Sequence, residues 1–269
     1  MREKKNNASH VLTVVMPAYK EKAIEKSIRS TLQVLSELNC KYELIVVVDG
    51  FLDKTYENAK KVHSKYLTVL GYKNNKGKGY AVRYGMARAK GDIIAFLDAG
   101  MDIDATGLAL FYNIFLWTDA DIVVGSKLHP LSNVQYPLQR RILSLGYQMF
   151  IRTFFGLRIH ETQTGIKMFR RKVLEDVLPR LLVKKFAFDV EVLAVANHLG
   201  YRKIFEAPVK INYTNWSAVM SQGFIQVSSR MLWDSCAVFY RLYFRHYYDD
   251  KSSRQWRFDP DLNFRINIG

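Results

Sequence analysis

Asp98 stands directly after the apolar run Gly91–Leu97 (GDIIAFL), and Asp102 and Asp104 follow it closely. Carboxylates gathered on one loop suit a hard divalent cation such as Mg²⁺ or Mn²⁺. Such an ion would bridge a diphosphate and stabilise it as a leaving group. Asp104 also reads as the cap of the helix that follows. A second chemical element is Asn74-Asn-Lys-Gly-Lys-Gly79, where glycines expose backbone N–H groups and Lys76 or Lys78 adds positive charge, an arrangement that suits an anion. It is not a Walker A sequence, because no Ser or Thr follows the Gly-Lys pair.

These residues need a scaffold, and the first half of the chain supplies one. Val11–Met16 is a β-branched run ending at Pro17, and Lys20–Leu38 reads as a helix. Glu43–Val48 is a second buried strand ending at Asp49-Gly50, and Asp53 can cap a helix running to Ser64. Tyr66–Tyr72 is a strand, Gly79–Lys90 a helix and Gly91–Leu97 a strand, followed by a helix to Trp117 and a strand over Asp121–Val124. Short apolar strands alternating with helices predict an α/β fold with a parallel sheet covered on both faces. Ligands of such sheets bind at the carboxyl ends of the strands. That rule brings Pro17-Ala18-Tyr19, Asp49-Gly50 and Asp98 to one edge.

The second half is less regular. Helices are expected over Pro137–Phe155, Arg171–Leu182 and Phe188–Leu199, a short strand over Ile166–Phe169, and extended chain over Lys203–Tyr213, with Pro208 marking an edge. Phe224–Tyr248 reads as a long amphipathic helix in which Phe, Leu, Trp and Tyr accompany Arg230, Arg241 and Arg245, a composition suited to a lipid headgroup region as well as to packing on the domain. Residues 249–269 carry weak patterning. The expected division is a catalytic domain over 1–215 and a C-terminal amphipathic helix and tail over 216–269, associated with a membrane.

Composition narrows the partners. Forty Lys and Arg against 25 Asp and Glu give a formal charge of +15 over 269 residues, which favours anionic partners. The two cysteines, Cys40 and Cys236, form no CxxC pair and suggest a reducing, cytoplasmic setting. The polar, basic start Met1–His10 shows no signal-peptide core. The richest apolar stretch, Met231–Tyr248, is interrupted by Asp234, Arg241 and Arg245, so a spanning helix is not expected. Membrane contact would be peripheral, at the cytoplasmic face, or made through a membrane-spanning partner or a second copy of the chain.

Four blocks, VVMPAYKE, VVVDGFLD, NKGKGYAVRYGMARAKGDIIAFLDA and ETQTGIKMFRR, in this order and spacing, resemble the successive motifs of family 2 glycosyltransferases of GT-A fold. The nearest subgroup is the dolichol-phosphate mannose and glucose synthases with their bacterial polyprenyl-phosphate relatives, and the resemblance covers roughly three-quarters of the chain, Val11–Tyr213. It implies that Pro17, Ala18, Tyr19, Glu21 and Asp49 hold the nucleotide, with Lys78, Asp98 and Ala99 also in the nucleotide-sugar site. Asp98 matches the first acid of the metal-binding Asp-x-Asp element. Gly125-Ser-Lys127 matches a segment near the acceptor phosphate, and Arg140 and Ser144 a basic-plus-hydroxyl pair near it. Thr162-Gln163-Thr164-Gly165 matches the back of the sugar site, with Gln163 and Thr164 on the acceptor side, and Phe188-Asp-Val-Glu191 an acidic helix start near the reacting centre. The chain departs from the pattern at Gly100, where the second acid belongs, leaving Asp102 as the expected substitute, and it has no basic residue in Asn212-Tyr-Thr-Asn-Trp216.

The implied reaction is inverting transfer of a sugar from a UDP- or GDP-linked donor to a polyprenyl phosphate, with Mg²⁺ or Mn²⁺ as cofactor. A phosphate monoester has a second pKa of about 6, so the acceptor is mostly a dianion at neutral pH and needs cations more than a base. Lys127, Arg140 and Arg141 are the expected cations. A sugar-hydroxyl acceptor would instead require a base, from Asp189 or Glu191. The rivals are a nucleotidyltransferase, which should carry a Gly-rich basic signature after the first strand, and a basic, catalytically impaired binding protein. Nucleic acid is not an expected partner, because no binding module is present.

Overall fold

The computed structural model describes residues 10–134, 138–211, 224–249 and 255–267, with side chains at 138–143, 224–227 and 267 left aside. The elements run β1 (Val11–Ala18), α1 (Ile24–Ser36), β2 (Lys41–Asp49), α2 (Thr55–Lys60), β3 (Leu67–Tyr72), α3 (Lys78–Met86), β4 (Ile93–Leu97), α4 (Gly107–Thr118), β5 (Ile122–Ser126) and β6 (Asn133–Val134). Then follow α5 (Leu138–Phe155), β7 (Ile166–Arg170), α6 (Arg171–Val177) with a 3-10 turn at Leu178–Arg180, α7 (Phe188–His198), β8 (Ile204–Pro208), β9 (Lys210–Ile211), α8 (Phe224–Tyr243), β10 (Trp256–Asp259) and β11 (Phe264–Asn267).

Seven strands form the central sheet in the order β3-β2-β1-β4-β7-β5-β8. Alternation along each strand divides the core into two layers. Val15, Ile45, Val47, Ile94 and Phe96 pack on one face with α3, α7 and parts of α5 and α8. Leu12, Val14, Met16, Leu44, Val46 and Val48 pack on the other with α1 and α4. Burial on both faces explains the uninterrupted apolar runs that mark β1, β2 and β4 in the sequence. The sheet is mostly parallel, as expected for this fold, with β7 running antiparallel to both β4 and β5. β8 lies at the sheet edge and ends at Pro208, which cannot donate to a further strand.

Two expectations for the C-terminal part are revised. The last long helix stops at Tyr243 rather than Tyr248, and the chain turns through His246 at positive φ. The weakly patterned tail contains an antiparallel hairpin, β10 with β11. It docks on α3 and the residues flanking it: Lys76 Nζ and the Tyr80 hydroxyl donate to Asp261 Oδ2 at 2.9 and 3.2 Å, and Arg88 donates to the Asp261 carbonyl at 2.7 Å. Among the described residues no helix is long and apolar enough to cross a membrane.

Candidate active site

Because β2, β1 and β4 are neighbours, their carboxyl ends deliver Asp49, Pro17–Tyr19 and Asp98 to one cleft of about 430 Å³. Ala18, Glu21, Lys78 and Ala99 line the same cleft, so all the side chains assigned to the nucleotide sugar meet there. Lys185, Arg230, Met231 and Asp234 close it from the loop before α7 and from α8. None of these four was assigned to the site from the sequence, where Arg230 and Asp234 stood out only as charges in the C-terminal amphipathic stretch.

Asp49 is buried, and its carboxylate organises the loop that follows β3. Oδ1 accepts from the Tyr72 hydroxyl at 2.9 Å and the Lys76 backbone N–H at 2.7 Å. Oδ2 accepts from the Asn75 amide at 2.7 Å and the Gly77 N–H at 3.0 Å. Gly77 has φ 102°, a conformation other residues adopt only with strain, and a Cβ there would sit 2.4 Å from the Lys184 carbonyl oxygen. Burial, followed by the adjacent Asp49 carboxylate, pushes the Tyr72 hydroxyl pKa far up, so Tyr72 stays a donor. Asp49→Ala strips four donors of their acceptor. Nucleotide binding is expected to weaken by about 1–3 kcal/mol, read by calorimetry with UDP and GDP. Unchanged affinity would remove the 75–77 loop from the nucleotide site.

The next layer is a chain of alternating charges. Lys78, in the first turn of α3, reaches Asp98 Oδ2 at 2.9 Å and Asp189 Oδ2 at 3.5 Å. Asp189 Oδ1 in turn meets Lys167 Nζ at 2.5 Å, and Lys167 also donates to the Thr164 carbonyl at 2.7 Å. Lys167 sits mid-strand in β7 and is 1% exposed. Burial pushes its pKa down, with Asp189 acting in the opposite direction. Burial also acts against the Lys78 charge, but Asp189 and Asp98 outweigh it and raise that pKa. Asp98 Oδ1 is buried and has no hydrogen-bond partner among the described residues. Gly165 is required beneath it, since a Cβ at 165 would lie 2.0 Å from Asp98 Oδ2.

Asp189 and Glu191 separate cleanly. They are two residues apart on α7, which turns them to different sides. Asp189 joins the lysines of the site. Glu191 accepts from the Leu182 and Val183 N–H groups and from the Tyr248 hydroxyl, with Arg241 at 3.5 Å. These contacts tie the 182–183 loop and the segment after α8 to α7.

Asp102 is not among the side chains that line the cleft. The carboxylate that faces Gly100 is Glu21: a Cβ on Gly100 would meet only Glu21 Oε2, at 3.5 Å. Asp98, with one unpartnered buried oxygen, and Glu21 are oxygen donors of the kind a hard divalent ion takes, though among the described residues no group of three such ligands comes together.

The residues assigned to the acceptor are less uniform. Lys127 Nζ lies 3.1 Å from Glu161 Oε2, so its charge is already matched by a buried carboxylate. Glu161 Oε1 accepts from the Gln148 amide and the Gln163 N–H, both at 2.7 Å. The Gln163 amide nitrogen and the Thr164 and Ser126 hydroxyls are buried without partners among the described residues. Ser144 is half-buried on α5, and the Arg140 and Arg141 side chains lie outside the described ones.

Residues 13–178 match the family model described as Glycosyl transferase family 2. A dolichyl-phosphate beta-glucosyltransferase of Trichomonas vaginalis is 30% identical over 250 residues, 87% of this chain and 75% of that protein. One of Drosophila melanogaster is 34% identical over 206 residues, 70% and 63% of the two chains, and one of Homo sapiens 28% over 249 residues, 86% and 75%. Among solved structures, glucosyl-3-phosphoglycerate synthase of Mycobacterium tuberculosis, crystallised with Mn²⁺, UDP and glucosyl-3-phosphoglycerate, superposes with a TM-score of 0.63 at 17% identity over 97% of this chain and 87% of that one. That likeness is one of fold.

Proposed function

The chain belongs to glycosyltransferase family 2, and from that membership we propose that it transfers glucose from a nucleoside-diphosphate sugar to a dolichyl-type polyprenyl phosphate. What carries the reading is the convergence of Asp98, Lys78 and Asp189 at the edge of the nucleotide cleft. The names of the relatives support the sugar and the lipid phosphate.

In this reading Pro17, Ala18, Tyr19 and the Asp49-ordered loop hold the nucleoside, and Lys78, Asp98 and Ala99 line the path to its diphosphate. Asp98, with Glu21 across from Gly100, would hold a divalent ion. Such an ion supplies charge neutralisation for the departing diphosphate. Lys78 is kept cationic between two carboxylates and stabilises negative charge on the leaving side. The acceptor phosphate arrives as a dianion, so its oxygen attacks the anomeric carbon without a protein base. Asp189 fits that requirement. Held between Lys167 and Lys78, it works as a counter-charge that fixes both lysines, which favours a phosphate acceptor over a sugar hydroxyl. The protein would meet the membrane peripherally, and Trp233, Tyr240 and Tyr243, exposed on α8, are the side chains offered for that contact.

The test is a donor and acceptor screen. UDP-glucose with Mn²⁺ is expected to raise the melting temperature more than GDP-mannose, and radiolabelled glucose should pass to farnesyl phosphate but not to farnesol. Transfer to a neutral glycan with farnesyl phosphate inert would overturn the acceptor, and no stabilisation by any nucleotide sugar would overturn the donor class.

A further inference from the structure

Beside the donor cleft lies a second groove, about 510 Å³, between the loop before α7 and an exposed side of α8. Lys184, Lys185, Arg230 and Arg241 line it with Trp233, and Asp234 is the one carboxylate among its lining side chains. Arg241 faces Glu191 at 3.5 Å. Lys184, Lys185 and Arg230 have no carboxylate partner within ion-pairing distance among the described residues. Lys184, Lys185 and Arg230 against the single lining carboxylate Asp234 leave the groove net positive, and the repulsion among the cations is relieved when an anion enters.

We propose that this groove is a phosphate-binding subsite that receives the phosphomonoester of the acceptor, an inference that rests on the transferase reading above. Its placement fits that role. Lys185, Arg230 and Asp234 line both the groove and the donor cleft, so an anion held there lies alongside the donor. The contrast with Lys127 is informative, because that lysine is neutralised by Glu161 at 3.1 Å whereas the groove keeps surplus positive charge. Trp233 separates the monoester from the donor diphosphate as the occupant. Trp233 is 77% exposed and lines the groove, so its indole offers apolar surface to a hydrocarbon chain attached to the phosphate, which a nucleoside diphosphate lacks. Two segments far apart in sequence, the 184–185 loop and α8, supply the cations, and Glu191 fixes the loop through the Leu182 and Val183 N–H groups.

Lys184→Ala and Arg230→Ala, made in the full chain, test the subsite with farnesyl phosphate as acceptor probe and UDP as donor probe. Each is expected to raise the KM for farnesyl phosphate about tenfold, the loss of one charge-assisted contact. Arg230→Lys should recover part of it. Lys184 does not line the donor cleft, so Lys184→Ala should leave UDP affinity within about twofold. An unchanged KM in both variants overturns the proposal, and so does an equal loss of UDP affinity in Lys184→Ala, which would assign the cations to the donor diphosphate. Calorimetric binding of farnesyl phosphate against farnesol keeps the two readings apart. Phosphate-dependent binding that is lost in Arg230→Ala supports the groove even if the wild-type protein transfers no sugar, a result that would overturn the transferase reading alone.

Discussion

Asp98→Asn is expected to lower glucosyl transfer by about 10²–10³-fold while leaving the fold intact. The carboxylate is the only acidic group of its motif that lines the cleft directly after β4, and Lys78 depends on it as one of two counter-charges. The substitution is nearly isosteric, and the side chain is about one-third exposed (36%), so the melting temperature should move little. Gly165→Ala makes the same point without touching the carboxylate. A methyl group at 165 overlaps Asp98 Oδ2 at 2.0 Å, so Asp98 must turn away and activity should fall with it. Normal turnover in both variants would remove Asp98 from the reaction. Loss in Asp98→Asn alone would mean that the carboxylate can work from a shifted position.

The second large effect is on stability. Lys167→Met is expected to cost about 3–5 kcal/mol, read from the urea midpoint at constant slope. The side chain of Met fits the space, but Asp189 is 2% exposed and would keep only Lys78, at 3.5 Å, as a cation near its carboxylate. A buried charge deprived of its close partner costs far more than the pair contributes. The double variant Lys167→Met with Asp189→Asn should therefore regain much of the loss, and the coupling between the two positions should exceed 1 kcal/mol, in the range of about 0.5–3 kcal/mol for contacting residues. Additive losses would show that Lys167 is held by packing alone.

What could be read in advance follows from burial. Strands covered on both faces leave continuous apolar runs, so β1, β2 and β4 were legible, and with them the edge that gathers Pro17, Asp49 and Asp98. Strand direction leaves no trace in periodicity, which is why the antiparallel β7 was not. Its buried Lys167 is a polar interruption inside Ile166–Arg170 and could have been flagged as a residue in need of a partner. Spacing alone allowed either Asp189 or Glu191 to be the base, because only the packing of α7 decides which one faces the lysines. The terminal hairpin carried a signal that was short but real: Trp256 and Phe258, then Phe264 and Ile266, alternate with polar residues around Pro260-Asp261. Asp102 follows Asp98 closely in sequence, yet its side chain is not among those that line the cleft.

The contact between Lys76 and Asp261 joins groups 185 residues apart. At a synthesis rate of about 5–20 residues per second, roughly 10–40 s separate the emergence of the two partners from the ribosome. The central sheet can assemble in that interval, since all its strands precede the hairpin. The loop ordered by Asp49 then waits for a late segment to anchor Lys76, Tyr80 and Arg88. Anchoring of that loop thus comes late in folding, and a nascent chain stalled before Trp256 would carry a finished sheet with an unsecured 75–77 loop.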